Sequence, residues 1–161
     1  MINSIYLICS DIDTHDIAFH GVFHSLREVD EFFYDKILHD RVDDERARLY
    51  GWAVRSVRDI QIGRYISVAS VRGRWFHIYR YLPNDVSRTI HFAVTKDLSE
   101  PAGLVDFHAF SERYEDAVDS VFSVRKDSDV LALQGDSVPN CYDDLGGEVT
   151  HIAEIFNFTL P

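Results

Sequence analysis

Apolar and polar positions alternate in short blocks along the chain, and each block has the period of one kind of element. Ile5 to Cys9 is continuously apolar and predicts a buried strand; Ile17 to His24 alternates loosely through Ile17, Phe19, Gly21 and Phe23 and predicts a second. Ser25 followed by Glu28 is a capping box, and Leu26, Val29, Phe32, Phe33 and Ile37 follow it at helical spacing. A second helix is predicted from Asp43 or Asp44, with an acidic first turn and a stripe of Ala47, Tyr50, Val54 and Val57. Tyr65 to Leu82 predicts a β-hairpin. A two-residue Arg72-Gly73 loop there pairs Val68 with His77 and Ile66 with Tyr79, and Pro83-Asn84-Asp85 closes the hairpin. Ile90 to Val94, Leu104 to Phe107, Val130 to Leu133 and Val149 to Leu160 predict four more strands. Between them a third helix, capped by Ser111, carries Tyr114, Ala117, Val118, Val121 and Phe122 on one face.

Strands in runs with few helices between them predict an α+β fold, a mixed or antiparallel sheet with about three helices packed on it. Residues 1–161 fit a single domain. A pseudo-repeat is visible between 4–82 and 89–160: at an offset of 85, Ile5, Leu7 and Cys9 fall on Ile90, Phe92 and Val94, so the chain reads as two β-β-α-like halves.

Composition adds that the chain has the means to build a core, with 46% hydrophobic and 13% aromatic residues. No apolar run is long enough to cross a bilayer, and residues 1–10 lack the basic start of a signal peptide. Cys9 and Cys141 lie far apart without metal-finger spacing, which favours reduced thiols and a cytoplasmic setting. The net charge of −11 argues against direct nucleic-acid binding and favours a positively charged partner. The charge is unevenly spread: residues 41–88 carry ten Arg against five acids, whereas the flanks carry six basic and 22 acidic residues.

Two short segments carry candidate phosphoryl chemistry. Asp11-Ile12-Asp13 directly follows the first strand, and Gln134-Gly135-Asp136 follows a later one. Together they resemble the haloacid dehalogenase-like phosphatases. That resemblance implies Asp11 as nucleophile, Asp13 as acid/base, Asp136 as a ligand of Mg²⁺, and a doubly wound parallel sheet. One carboxylate would attack phosphorus, the other would carry the leaving-group proton, and the metal would screen their charge. The pattern departs from the family at His15, where Thr or Val is usual, and at Asn140, where a second late acid is expected.

The remaining constellations point to structure before chemistry. Eight histidines occur without metal-ligand spacing and are expected as solvated or hydrogen-bonded surface groups. Trp75, His77, Tyr79 and Tyr81, rimmed by Arg64, Arg72, Arg74 and Arg80, fit one face of a core better than a base-stacking platform. Acids cluster on two helices, with Asp30, Glu31, Asp35 and Asp40 on and after the first and Glu112, Glu115, Asp116 and Asp119 along the third.

The expectation is therefore a non-enzymatic, acidic inhibitor of a basic protein target, such as a toxin or a nucleic-acid-handling enzyme. In type it is similar to immunity proteins or phage anti-defence proteins. The expected contacts are Asp30, Glu31, Asp35, Asp40, Glu112, Glu115 and Asp116, with no cofactor. The alternative is the Mg²⁺-dependent phosphatase using Asp11, Asp13 and Asp136.

Overall fold

The computed structural model describes residues 3–11, 17–35, 44–69, 75–83, 89–97, 105–124, 131–134 and 150–160. The chain divides into two compact units, Met1–Asp85 and Val86–Pro161, and the fold is α+β.

The first unit holds β1 (Ile5–Asp11), β2 (Ile17–Phe23), α1 (Leu26–Phe33), α2 (Asp44–Arg58), β3 (Tyr65–Ala69) and β4 (Trp75–Tyr81). Its sheet runs β2-β1-β4-β3, antiparallel throughout. Alternation sends Tyr6, Ile8, Val68, Phe76 and Ile78 to one face, where Val29 and Phe33 of α1 and Ala53 and Val57 of α2 cover them. Phe32 adds an edge-on contact with Phe76 at 5.6 Å and with Phe23 at 5.2 Å. Full burial of a ring such as Phe33 or Phe76 contributes about 1.5–3 kcal/mol. Leu7, Cys9 and His77 point the other way and are also fully buried, so β1 and β4 have no wet face at those positions.

The helix that the capping box predicts forms as expected. Ser25 is extended, its hydroxyl accepts from the Glu28 backbone N–H (3.2 Å), and the Glu28 carboxylate accepts from the His24 N–H (2.6 Å). Two donors at the helix start are thus satisfied by side chains.

The hairpin forms in a different register from the expected one. Val68 pairs with Phe76 and Ile66 with Ile78, not with His77 and Tyr79. That register is one residue out from the one a two-residue Arg72-Gly73 turn would set; residues 70–74 lie outside the described residues. A slip of one residue sends every β3 side chain to the opposite face. Ile66 and Val68 consequently join the helix-covered core, and Tyr65 and Ser67 join Tyr79 and His77.

The second unit holds β5 (Thr89–Asp97), β6 (Val105–Ser111), α3 (Tyr114–Val124), β7 (Leu131–Gln134) and β8 (His151–Thr159). Its sheet runs β6-β5-β8-β7. The second strand pairs with the first, the first with the last and the last with the third, the order seen in the first unit. Ile5, Leu7 and Cys9 lie on β1, and Ile90, Phe92 and Val94 lie on β5, which holds the corresponding place. Both units also carry a bulge in the second strand. In β2 the extra residue is His20, between the pairs Ile8–Gly21 and Cys9–Phe19; in β6 it falls between His108 and Ser111.

One pairing differs. β7 runs parallel to β8, and residues 135–150 supply the long connection that a parallel pair requires. Phe92, fully buried, is the centre of the second core, with Phe107, Phe110, Phe156 and Phe158 within 6.3 Å of its ring. The cap of α3 is a correction. Ser111 is the last residue of β6, and its hydroxyl accepts from the Arg113 N–H (3.2 Å) ahead of the helix start at Tyr114.

Candidate functional site

The phosphatase resemblance requires the first strand and the strand before Gly135-Asp136 to be parallel neighbours in one sheet. They are not. Antiparallel β2 and β4 flank β1, whereas β7 lies in the other sheet beside β8. Asp11 ends β1, and Asp13 and Asp136 lie outside the described residues. The doubly wound sheet that would bring the three acids to one metal is absent from the described strands.

His24 is exposed as expected, whereas other histidines depart from a surface role. His77 is fully buried, and its Nδ1 shares a 2.8 Å hydrogen bond with the Ser67 hydroxyl. His20, the bulge residue of β2, reaches Ser10 Oγ at 2.6 Å and packs against the rings of Phe32 and Phe76. The bulge is what turns this side chain inward, and Gly21 beside it takes φ +119°, a conformation that L side chains rarely adopt. His151 lies opposite Asp97 in the β5–β8 ladder, with Nε2 3.4 Å from the carboxylate and Nδ1 2.8 Å from Thr150 Oγ1. Among the described residues no group of three or more His, Cys, Asp or Glu could hold a metal ion.

The aromatic side of the hairpin is partly core. His77 is buried; Trp75, Tyr79 and Tyr81 are half-buried. Burial pushes the Tyr79 phenol above its ordinary pKa, with Tyr81 adding to the rise and Arg64 opposing it, and burial raises Tyr81 as well. Of the four arginines expected along its rim, Arg64 is exposed, and Arg72 and Arg74 lie outside the described residues. Arg80 points away from the tyrosines and donates to the Ile60 carbonyl and the Ser4 hydroxyl, each at 2.9 Å. It ties β4 to its neighbours and does not line a ligand face.

A groove of about 350 Å³ lies between α1 and α2, floored by Leu26, Val29, Phe33, Val54 and Val57 with Arg27, Asp30 and Arg58 at its edge. Among the described residues, no helix is long and apolar enough to cross a membrane.

The chain matches no known protein family, no curated protein and no solved structure.

The acids expected to meet a partner separate into two groups. On and just after α1, Glu31 and Asp35 are exposed and Asp30 is half-buried; Asp40 lies outside the described residues. Arg27 sits 3.2 Å from Glu31 and partly cancels that face. On α3 and just before it, Glu112, Glu115, Asp116 and Asp119 are all exposed at spacings of three and four residues, opposite buried Ala117 and Val121. An ion pair there, Arg113 to Glu115 at 4.0 Å, is exposed on both sides and contributes little. Asp119 completes this ridge, and its helical spacing from Glu115 and Asp116 was the available signal.

Charge also divides by unit. Residues 1–85 carry 11 basic and 13 acidic side chains, a net −2, whereas residues 86–161 carry 5 and 14, a net −9. The acidic surplus belongs almost wholly to the second unit, the one that contains α3.

Proposed function

We propose that this chain binds a basic protein target and inhibits it by occupying the target's cationic surface. The observation that carries the reading is the solvent side of α3. Glu112, Glu115, Asp116 and Asp119 form one carboxylate ridge on a unit of net charge −9. Such a ridge raises the local concentration of a cationic partner and speeds encounter, more so at low salt. The α1 acids are a secondary contact, because Arg27 and the near-neutral first unit weaken their field. Targets of suitable chemistry are toxins and nucleic-acid-handling enzymes, whose active grooves are built to attract phosphate. Immunity and anti-defence inhibitors are the types of protein that work this way.

Affinity capture with the whole chain, followed by a salt wash series, tests the proposal. A basic protein should be retained at low salt and released at moderate salt. Glu115→Lys with Asp116→Lys should weaken its binding about tenfold or more, and Asp30→Lys with Glu31→Lys should weaken it less. Retention that ignores both salt and charge reversal would rule out the acidic ridge as the contact.

A further inference from the structure

The ladder between β5 and β8 ends on a pair with its own chemistry. Asp97 is the last residue of β5 and His151 the first of β8, and the register sets them directly opposite each other. Their side chains meet at 3.4 Å, Oδ2 to Nε2, while Nδ1 of the same ring is 2.8 Å from Thr150 Oγ1. On its other side His151 pairs with Leu131 of β7, an apolar neighbour. A hydroxyl, an imidazole and a carboxylate thus stand in series, the arrangement by which a weak oxygen nucleophile is activated. The site is open enough to be reached: the His151 side chain is 23% exposed, that of Asp97 is 34% exposed, and Thr150 is half-buried.

We propose that Thr150, His151 and Asp97 form an acyl-accepting site for small carboxylic esters with good leaving groups. With the ring proton on Nε2, facing Asp97, the Nδ1 lone pair accepts the Thr150 proton as Oγ1 bonds to the acyl carbon. The tetrahedral adduct then expels the leaving oxygen, which takes that proton from Nδ1. Water attacks the acyl-threonine, Nδ1 accepts a water proton and returns it to Oγ1, and the free acid departs. Atoms and charge balance with ester and water as the only reactants. Asp97 does not touch the reacting atoms; it is a positioning residue that holds the ring in one tautomer and one orientation. This chemistry is separate from the partner binding proposed above, and neither depends on the other.

The test uses the full chain with 4-nitrophenyl acetate as substrate and an alkyl fluorophosphonate as trapping reagent. The expected result is nitrophenol release and a single phosphonyl adduct mapping by mass spectrometry to Thr150. Thr150→Val and His151→Gln should each lower adduct formation at least tenfold, while Thr150→Ser, which keeps the hydroxyl, should retain it. Asp97→Asn should lower kcat for 4-nitrophenyl acetate at least fivefold with KM little changed, because the ring then loses the group that fixes its tautomer. A purely structural cross-strand pair would leave kcat where it is in a folded variant. The proposal is overturned by an adduct on any other residue, by an undiminished rate in Thr150→Val, or by no adduct in a Thr150→Ser protein whose circular dichroism shows it folded.

Discussion

A phenol held against protein and away from water gives up its proton late, and Tyr79 and Tyr81 are both in that position. The sign of the consequence follows from linkage. Their folded-state pKa values lie above the ordinary 10.0 of the unfolded chain, so between the two the folded state binds more protons. The stabilising contribution is complete below pH 10 and is lost as pH rises through the folded values. Urea denaturation should therefore show stability declining above pH 10, with Tyr79→Phe flattening the decline; a wild-type curve with no decline would contradict the burial assigned to these rings. Gly21 makes a second residue-scale case. Its φ of +119° strains any L side chain, yet a Cβ there would meet nothing within 4 Å. Gly21→Ala should cost about 1–2 kcal/mol in urea unfolding through backbone strain alone, without loss of packing. Neither feature was legible from residue type. Glycine in a strand signals a bulge in general, but the inward turn of His20 beside it needs the pairing partner to be known.

Helices announced themselves at the scale of elements because their signals are local. Ser25 and Glu28 fixed the start of α1, and the stripe of Tyr114, Ala117, Val118, Val121 and Phe122 described α3 with the inward side it has. Strand positions were equally legible, since period-two alternation needs no partner. Pairing was not, because it depends on the length of the turn. The Arg72-Gly73 dipeptide has the chemistry of a tight hairpin, but the register of Val68 with Phe76 is not the one such a turn sets. The register can be checked by crosslinking. Cysteines introduced as Val68→Cys and Phe76→Cys should oxidise readily, being directly opposite, whereas Val68→Cys with His77→Cys should not. Efficient crosslinking of the second pair alone would restore the two-residue turn. The Asp97–His151 pair shows the same limit for chemistry: 54 positions separate the two residues, and only the β5–β8 register brings them together.

Across the whole molecule, the charge pattern in the sequence is acidic, basic, acidic, but the boundary between the units falls at Asp85. Nearly all the arginines of the basic middle thus share a unit with the acids before them, leaving that unit close to neutral, and the second unit carries the surplus. The negative surplus is consequently a property of one unit more than of the chain.

Strand order carries a consequence for how the protein is made. In each sheet the central ladder joins the unit's first strand to its last, β1 to β4 and β5 to β8. A ribosome delivers the chain from its amino end, so β1 waits for Tyr81 and β5 waits for Thr159 before either gains its second partner. During that interval Leu7, Ile8 and Phe92, all destined for full burial, have only a hairpin partner for company. Loop closure over such distances is slow, so until the closing strand emerges only the two early strand pairs cover these side chains.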